Sequence, residues 1–201
     1  LSAHRQYLVH EQESARELFD RIIHRGALNV PNLRYHLSPL AIFNGDLLFS
    51  ARRPSGGQIV MVGDFAGHGL PAAVGAIPVA EIFHSMTTKG YAIGDIVAEI
   101  NSQLRQFLPA SSFLAAAFIE IDAAGHTVSV WNGGLPDVLI WQPGRGVRRR
   151  AASSHLPLRV VSDERVSRDV DIFDLEAGDR ILVFTDGVIE AADEGGKRLG
   201  M

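Results

Sequence analysis

Residues 62–74 read VGDFAGHGLPAAV. The stretch ends an apolar run, Ile59, Val60, Met61 and Val62, on Asp64, and then brackets His68 between Gly67 and Gly69. From Leu70 onward the residues are small and apolar, and Pro71 suits the first turn of a helix. An acid entering a buried strand is costly unless it is paired, hydrogen-bonded or bound to a metal. No Lys or Arg lies within five residues of Asp64 on either side. A turn aspartate that caps the next helix is the plain alternative, because Asp and Gly are ordinary turn residues. Asp64 lies six residues ahead of Leu70, too far for a simple cap.

The pattern recurs in ILVFTDGVIEA, residues 181–191, where an apolar run leads to Asp186 and Gly187. Asp46, in FNGDLLF, is a third acid preceded by glycine and set at a strand start. Three carboxylates from separate strand ends can converge at one edge of a sandwich. Such an oxygen-rich site suits a hard cation, Mg²⁺ or Mn²⁺, better than zinc. Glycine beside each acid lets the backbone approach closely and can free a carbonyl as a ligand. Spacing alone leaves the turn and metal readings both open.

Other chemistries find less support. His4, His10, His24, His36, His84, His126 and His155 show no metal-binding spacing. His68 stands apart by position. It could donate a proton or contact phosphate, or simply hydrogen-bond its own loop. Ser111 and Ser112 lack a Ser/His/Asp context. GDFAGHG lacks the lysine of a P-loop, and no G-x-G-x-x-G follows a strand.

The 201 residues, 46% of them hydrophobic and 21% charged, suit one globular domain. A net charge of −4 argues against a nucleic-acid binder. The one basic cluster, GRGVRRR at 144–150, has no interleaved aromatics and reads as a solvated hairpin edge. A cysteine-free chain fits a reducing, cytoplasmic compartment. No apolar run approaches the roughly 18 residues of a membrane span.

Periodicity predicts an amphipathic helix over residues 1–26, with Tyr7, Leu8, Leu18, Phe19, Ile22 and Ile23 on one face. It could join an upstream domain, pair with a second copy as a homodimer, or pack on its own domain. Strands are expected at 33–40, 45–53 and 57–66. Helices follow from Leu70 to Met86, with a kink at Pro78, and from Ala92 to Phe107. Further strands are expected at 113–122, 126–134, 137–144, 147–151, 165–175 and 180–187. Strands, two helices, then strands is an α+β order with mainly antiparallel sheets. The chain opens on Leu1, not Met, and is expected to be a piece of a longer polypeptide.

Read together, VGDFAGHGLPAAV and AGDRILVFTDGVIEA resemble the GD-x-x-GHG-x-PAA and GD-x-LL-x-(Y/F)-TDG segments of the PPM-type metal-dependent protein serine/threonine phosphatases, in their bacterial SpoIIE/RsbU-like branch. FNGDLLFS is similar to that branch's GGD-F-Y-D strand, and HLPLRVV to its G-x-PLG segment. The motifs keep the family's order over residues 28–201. The resemblance implies two antiparallel β-sheets forming a sandwich flanked by helices, with two Mn²⁺ or Mg²⁺ ions at one edge. It implies metal ligation by Asp46, Asp64, the Phe65 carbonyl and Asp186, catalysis through Asp64 and Asp186, and substrate contacts at Gly187 and His68. It also implies a phosphorylated partner, a STAS-type anti-sigma-factor antagonist, and an upstream receiver or sensory domain, as in a two-component response regulator.

Three departures from the family pattern matter. Phe49 stands where the second acid of GGD-F-Y-D belongs, and Leu135, in NGGLPD, where a histidine is usual. The family's C-terminal DD-x-(T/S) strand has no counterpart before Met201, so the domain at 27–201 is expected to lack it. These departures keep a second reading open: a weak or inactive phosphatase-fold adaptor that binds a sigma factor or its regulator.

Overall fold

A computed structural model describes residues 28–37, 45–66 and 70–191. Strands β1 (Asp46–Arg52) and β2 (Gln58–Phe65) form a hairpin, followed by helices α1 (Leu70–Thr88) and α2 (Ile93–Phe107). Then come β3 (Leu114–Ile121), β4 (Thr127–Gly133), β5 (Val138–Gln142) and β6 (Gly146–Ala151). A 3-10 turn (Asp163–Arg165), β7 (Asp171–Asp174), β8 (Arg180–Leu182) and α3 (Asp186–Glu190) complete the order. The strands build a five-stranded sheet, β1-β2-β3-β4-β7, and a three-stranded sheet, β6-β5-β8. The pairings between strands are antiparallel throughout, as expected.

The period-two alternation of β2 explains the layering. Ile59, Met61 and Phe65 are buried on one face, with Leu47 and Phe49 of β1 beside them. They form a single core with Ala76, Val79 and Phe83 of α1 and Ile96, Ile100 and Leu104 of α2. The other face of β2 carries Val62, which joins Ala115, Ala117 and Ile119 of β3 and Val128 and Val130 of β4. These pack against Val138 and Ile140 of β5 and Ile181 of β8. The layers are therefore helices, five-stranded sheet, three-stranded sheet.

α2 buries the face that its periodicity selects: Ile93, Ile96, Val97, Ile100 and Leu104. α1 carries Pro78 in its interior and continues to Thr88. Its small residues allow close approach to the sheet. A Cβ on Gly75 would lie 2.8 Å from Phe65 Cζ and 3.1 Å from Leu108 Cδ1, so glycine lets α1 sit on the Phe65 ring.

Two expected strands come out shorter, and a third forms no strand in its described part. Residues 33–37 make no strand pairing, and 38–40 lie outside the described residues. Of 165–175, only Asp171–Asp174 is a strand. The preceding residues are drawn toward α2 and the end of β4: Trp131 Nε1 donates to Ser167 O at 3.0 Å, and Arg168 pairs with Asp95 at 2.8 Å. Gly94 leaves the room, since a Cβ there would meet Arg168 Cβ at 2.6 Å. The run at 180–187 stops pairing at Leu182, whose partner Leu139 lies one residue into β5. Asp186 consequently opens a short helix and does not end a strand.

The basic cluster is a hairpin edge, as read, but it is not solvated throughout, since the Arg148 side chain is only 15% exposed. Arg148 is held by Glu176 and Asp179, and Arg145 pairs with Glu176 at 2.9 Å. Among the described residues no helix is long and apolar enough to cross a membrane. The expected helix at 1–26 lies outside the described residues.

Gly75→Val is expected to destabilise the chain by about 1–3 kcal/mol, the usual cost of overpacking a filled interface. A fall in the urea midpoint with an unchanged slope would record it.

Candidate functional site

Asp46 is the first residue of β1 and Asp64 the last but one of β2. The antiparallel register sets them directly opposite one another, Asp46 against Asp64. Directly paired residues project on the same face. Both acids therefore share the face of Val62, which looks toward the three-stranded sheet. On its other side Asp64 faces Ala115 of β3, whose small side chain leaves space.

Asp186 arrives from the smaller sheet, four residues beyond the end of β8. It is close enough for its charge to act on both other acids. Burial is the largest influence on Asp64, and the charges of Asp46 and Asp186 add to it. A hydrogen bond with Asp186 acts in the same direction, and the Asp64 carboxyl is pushed up to about 6. Asp46 is also raised, first by burial and then by the Asp186 charge, against an opposing hydrogen bond from Thr185.

Among the described residues no basic side chain forms an ion pair with any of the three acids. Nor do three His, Cys, Asp or Glu side chains there form a closed cluster for one ion. The acids are thus neighbours in charge, coupled pair by pair. Their chemistry still fits hard divalent cations: all donors are oxygen, Asp46 and Asp64 are half-buried, and Asp186 is open to solvent.

Phe65 contributes through its backbone. Its N–H donates to Gly45 O at 3.0 Å, and the next N–H, of Ala66, donates to Phe113 O at 2.9 Å. Its cross-strand partner Leu114 donates instead to Leu158 O at 3.2 Å. The Phe65 carbonyl is therefore not taken by its strand partner. The Phe65 ring points the opposite way from Asp64, into the helix-side core.

Gly187 is the second residue of α3. A Cβ there would meet nothing nearer than Thr185 Oγ1, at 3.9 Å. Neither the fold nor a left-handed backbone requires glycine at this position. His68 lies outside the described residues. Phe49 is fully buried against the helices, on the face opposite Asp46, and Leu135 is buried between the sheets. Both departures from the family pattern are thus core residues here.

Residues 54–201 match the model of the family described as Stage II sporulation protein E (SpoIIE). The chain belongs to the SpoIIE family. A curated relative, the phosphoserine phosphatase RsbP of Bacillus subtilis (strain 168), is 24% identical over 135 residues, 65% of this chain. The aligned part is 33% of that protein, so this SpoIIE-family chain spans about a third of the relative it matches. Among solved structures, the SiaA-PP2C domain of Pseudomonas aeruginosa superposes with a TM-score of 0.77 at 20% identity, covering 100% of this chain and 81% of that one. RsbX in complex with magnesium gives a TM-score of 0.53 at 15% identity, with coverage of 72% and 67%. These likenesses establish the two-sheet PP2C fold.

The Asp64 shift has a consequence for stability. Unfolded, the carboxyl titrates near its ordinary value of 3.8; folded, near 6. Between these values the folded chain holds the extra proton, so stability falls as pH rises through that window. The penalty is absent below it and complete above it. In EDTA at pH 7.5, Asp64→Asn is therefore expected to melt higher than the unsubstituted chain. The difference should close as the buffer approaches pH 4, and melting curves across that range would show it.

Proposed function

We propose that this chain is a metal-dependent serine/threonine phosphoprotein phosphatase domain. The observation that carries the reading is that Asp46 and Asp64 face each other across the β1–β2 ladder, with Asp186, at the start of α3, near enough for its charge to act on both and no basic side chain paired to them among the described residues. Membership of the SpoIIE family supports it. Asp46, Asp64, Asp186 and the Phe65 carbonyl would hold two ions, Mn²⁺ or Mg²⁺. Ions bound there supply an activated water and bind phosphoryl oxygens.

The chain's own part is positioning and electrostatics. Three neighbouring carboxylates repel a phosphate dianion, so the bare site discourages the substrate it serves. Register fixes the spacing of Asp46 and Asp64, and the Phe65 ring, seated on Gly75, anchors the end of β2. Gly187 leaves open space beside Thr185 and Asp186 for a phosphorylated side chain to approach. His68, two residues before α1, is placed in the substrate-contact role.

The proposed substrate is a phosphorylated regulatory protein, a STAS-type anti-sigma-factor antagonist. The name of the relative RsbP, a phosphoserine phosphatase, favours the chemistry. The domain at 27–201 is read as the output of a cytoplasmic signalling regulator, joined through residues 1–26 to a receiver or sensory domain, with 1–25 as a dimer contact. Phe49 and Leu135 favour one other reading, an adaptor of the same fold that binds without turnover.

Phosphate release from 4-nitrophenyl phosphate tests the proposal. Turnover is expected to require Mn²⁺ or Mg²⁺ and to fall to the metal-free background in Asp64→Asn. No turnover under any divalent ion would favour the adaptor. Gly187→Ala separates the site from the fold: its melting temperature should stay within about a degree, as for surface substitutions without steric conflict, while turnover drops.

A further inference from the structure

The row of residues that bears the acids continues past them. Asp46 faces Asp64 across β1–β2, and Asp64 faces Ala115 across β2–β3. Beyond Ala115 the row reaches Gly134, one residue past the end of β4: a Cβ built on Gly134 would lie 3.1 Å from Ala115 Cβ. The same Cβ would meet Pro157 Cγ at 2.6 Å, so the missing side chain lets Pro157 sit down on the row. Asp64 to Gly134 is two strand spacings, about 10 Å. Only the methyl group of Ala115 stands between the carboxylate and Pro157.

Apolar side chains gather at this end of the row. The Ala66 N–H donates to Phe113 O at 2.9 Å, which carries the β2–β3 pairing one step past Leu114. Alternation along the strand puts Phe113 on the face of Ala115, and it is 37% exposed. Leu156, next to Pro157, is 58% exposed. The backbone beneath them is anchored. Leu158 is fully buried and bridges to Leu114, Val160 N–H donates to Pro157 O at 3.3 Å, and Gly134 N–H donates to Ser153 Oγ at 2.7 Å.

We infer that Phe113, Leu156 and Pro157 form an apolar ledge that receives the residues beside the phosphorylated side chain and selects apolar ones. The inference rests on the phosphatase reading above and names a substrate class for it: a phosphoserine segment with an apolar residue next to the phosphoserine. A phosphoserine placed over Asp64 brings its neighbours across Ala115, at about 3.3 Å of extended chain per residue. Ala115 leaves that path open, and the ledge meets them with apolar surface whose covering favours the complex. Acidic neighbours would instead meet the repulsion of the three carboxylates.

The test uses the full 201-residue chain with Mn²⁺ and two phosphoserine peptides that differ only in carrying leucine or asparagine on both sides of the phosphoserine. Phosphate release from 4-nitrophenyl phosphate, which has no flanking residue, is followed alongside, with thermal unfolding. The leucine peptide is expected to show a kcat/KM about tenfold above that of the asparagine peptide, the low end of discrimination by apolar contacts. Leu156→Ser and, independently, Phe113→Ser are expected to narrow that ratio through a raised KM for the leucine peptide. Their 4-nitrophenyl phosphate turnover and unfolding should match the unsubstituted chain. Equal kcat/KM for the two peptides, or a ratio that persists with both substitutions combined, overturns the ledge and leaves the phosphatase reading standing. So does earlier unfolding of both variants, which would make these residues structural, or turnover of 4-nitrophenyl phosphate with neither peptide cleaved. No release from any of the three substrates overturns the phosphatase reading and this inference with it.

Discussion

Two carboxylates face each other across the β1–β2 ladder, and a third is brought up to them from another sheet. Like charges directly opposed on neighbouring strands weaken a sheet. Here the repulsion is enclosed in a half-buried place, where water screens it poorly. The rest of the architecture makes this tolerable. The helix-side core, closed by Phe83, Phe49 and Phe118, fixes β1 and β2 from one side. The inter-sheet core fixes β3, β5 and β8 from the other. Neither core contains the acids, which sit at its margin.

The division of labour along β2 is therefore strict. Phe65 is driven into apolar packing and Asp64 into electrostatic conflict, and one peptide separates them. Burial of the ring contributes about 1.5–3 kcal/mol by the usual scale for a large apolar side chain. That gain belongs to the same strand end that bears the cost of the acid. A smaller conflict is resolved similarly at Arg159. It holds a left-handed backbone, φ 78°, at the position where the G-x-PLG pattern has its last glycine. Its N–H donates to Asn101 Oδ1 at 2.8 Å, and its guanidinium to Leu108 O at 2.9 Å. Those bonds, to a buried asparagine and to the end of α2, offset the strain that glycine would avoid.

Much of this was legible in sequence because it depends on short-range pattern. The alternation of β2, the heptad-like face of α2 and the three glycine-flanked acids each follow from residues within a few positions of one another. The convergence of the acids also rests on which strands pair, and there the family pattern supplied what periodicity lacks. The parts read wrongly depend on remote partners. The apolar run after Arg180 looks like a long strand, yet only three of its positions pair with β5. The run from Arg165 looks extended and is, but Trp131 and Asp95 hold its first half away from the sheet.

The alternation of β2 also limits how this chain can diverge. A single inserted or deleted residue between Ile59 and Asp64 would turn the carboxylate into the helix-side core and the Phe65 ring outward. Chemistry and packing would fail in one event, with no intermediate that keeps either. Substitution is then the only open route of change in that strand. Length variation is pushed to places such as the β5–β6 hairpin, where a register shift between Ile140 and Trp141 already absorbs an extra residue without disturbing the ladder on either side. Homologues should therefore differ in length around the hairpin and agree to the residue across the strand that carries Asp64.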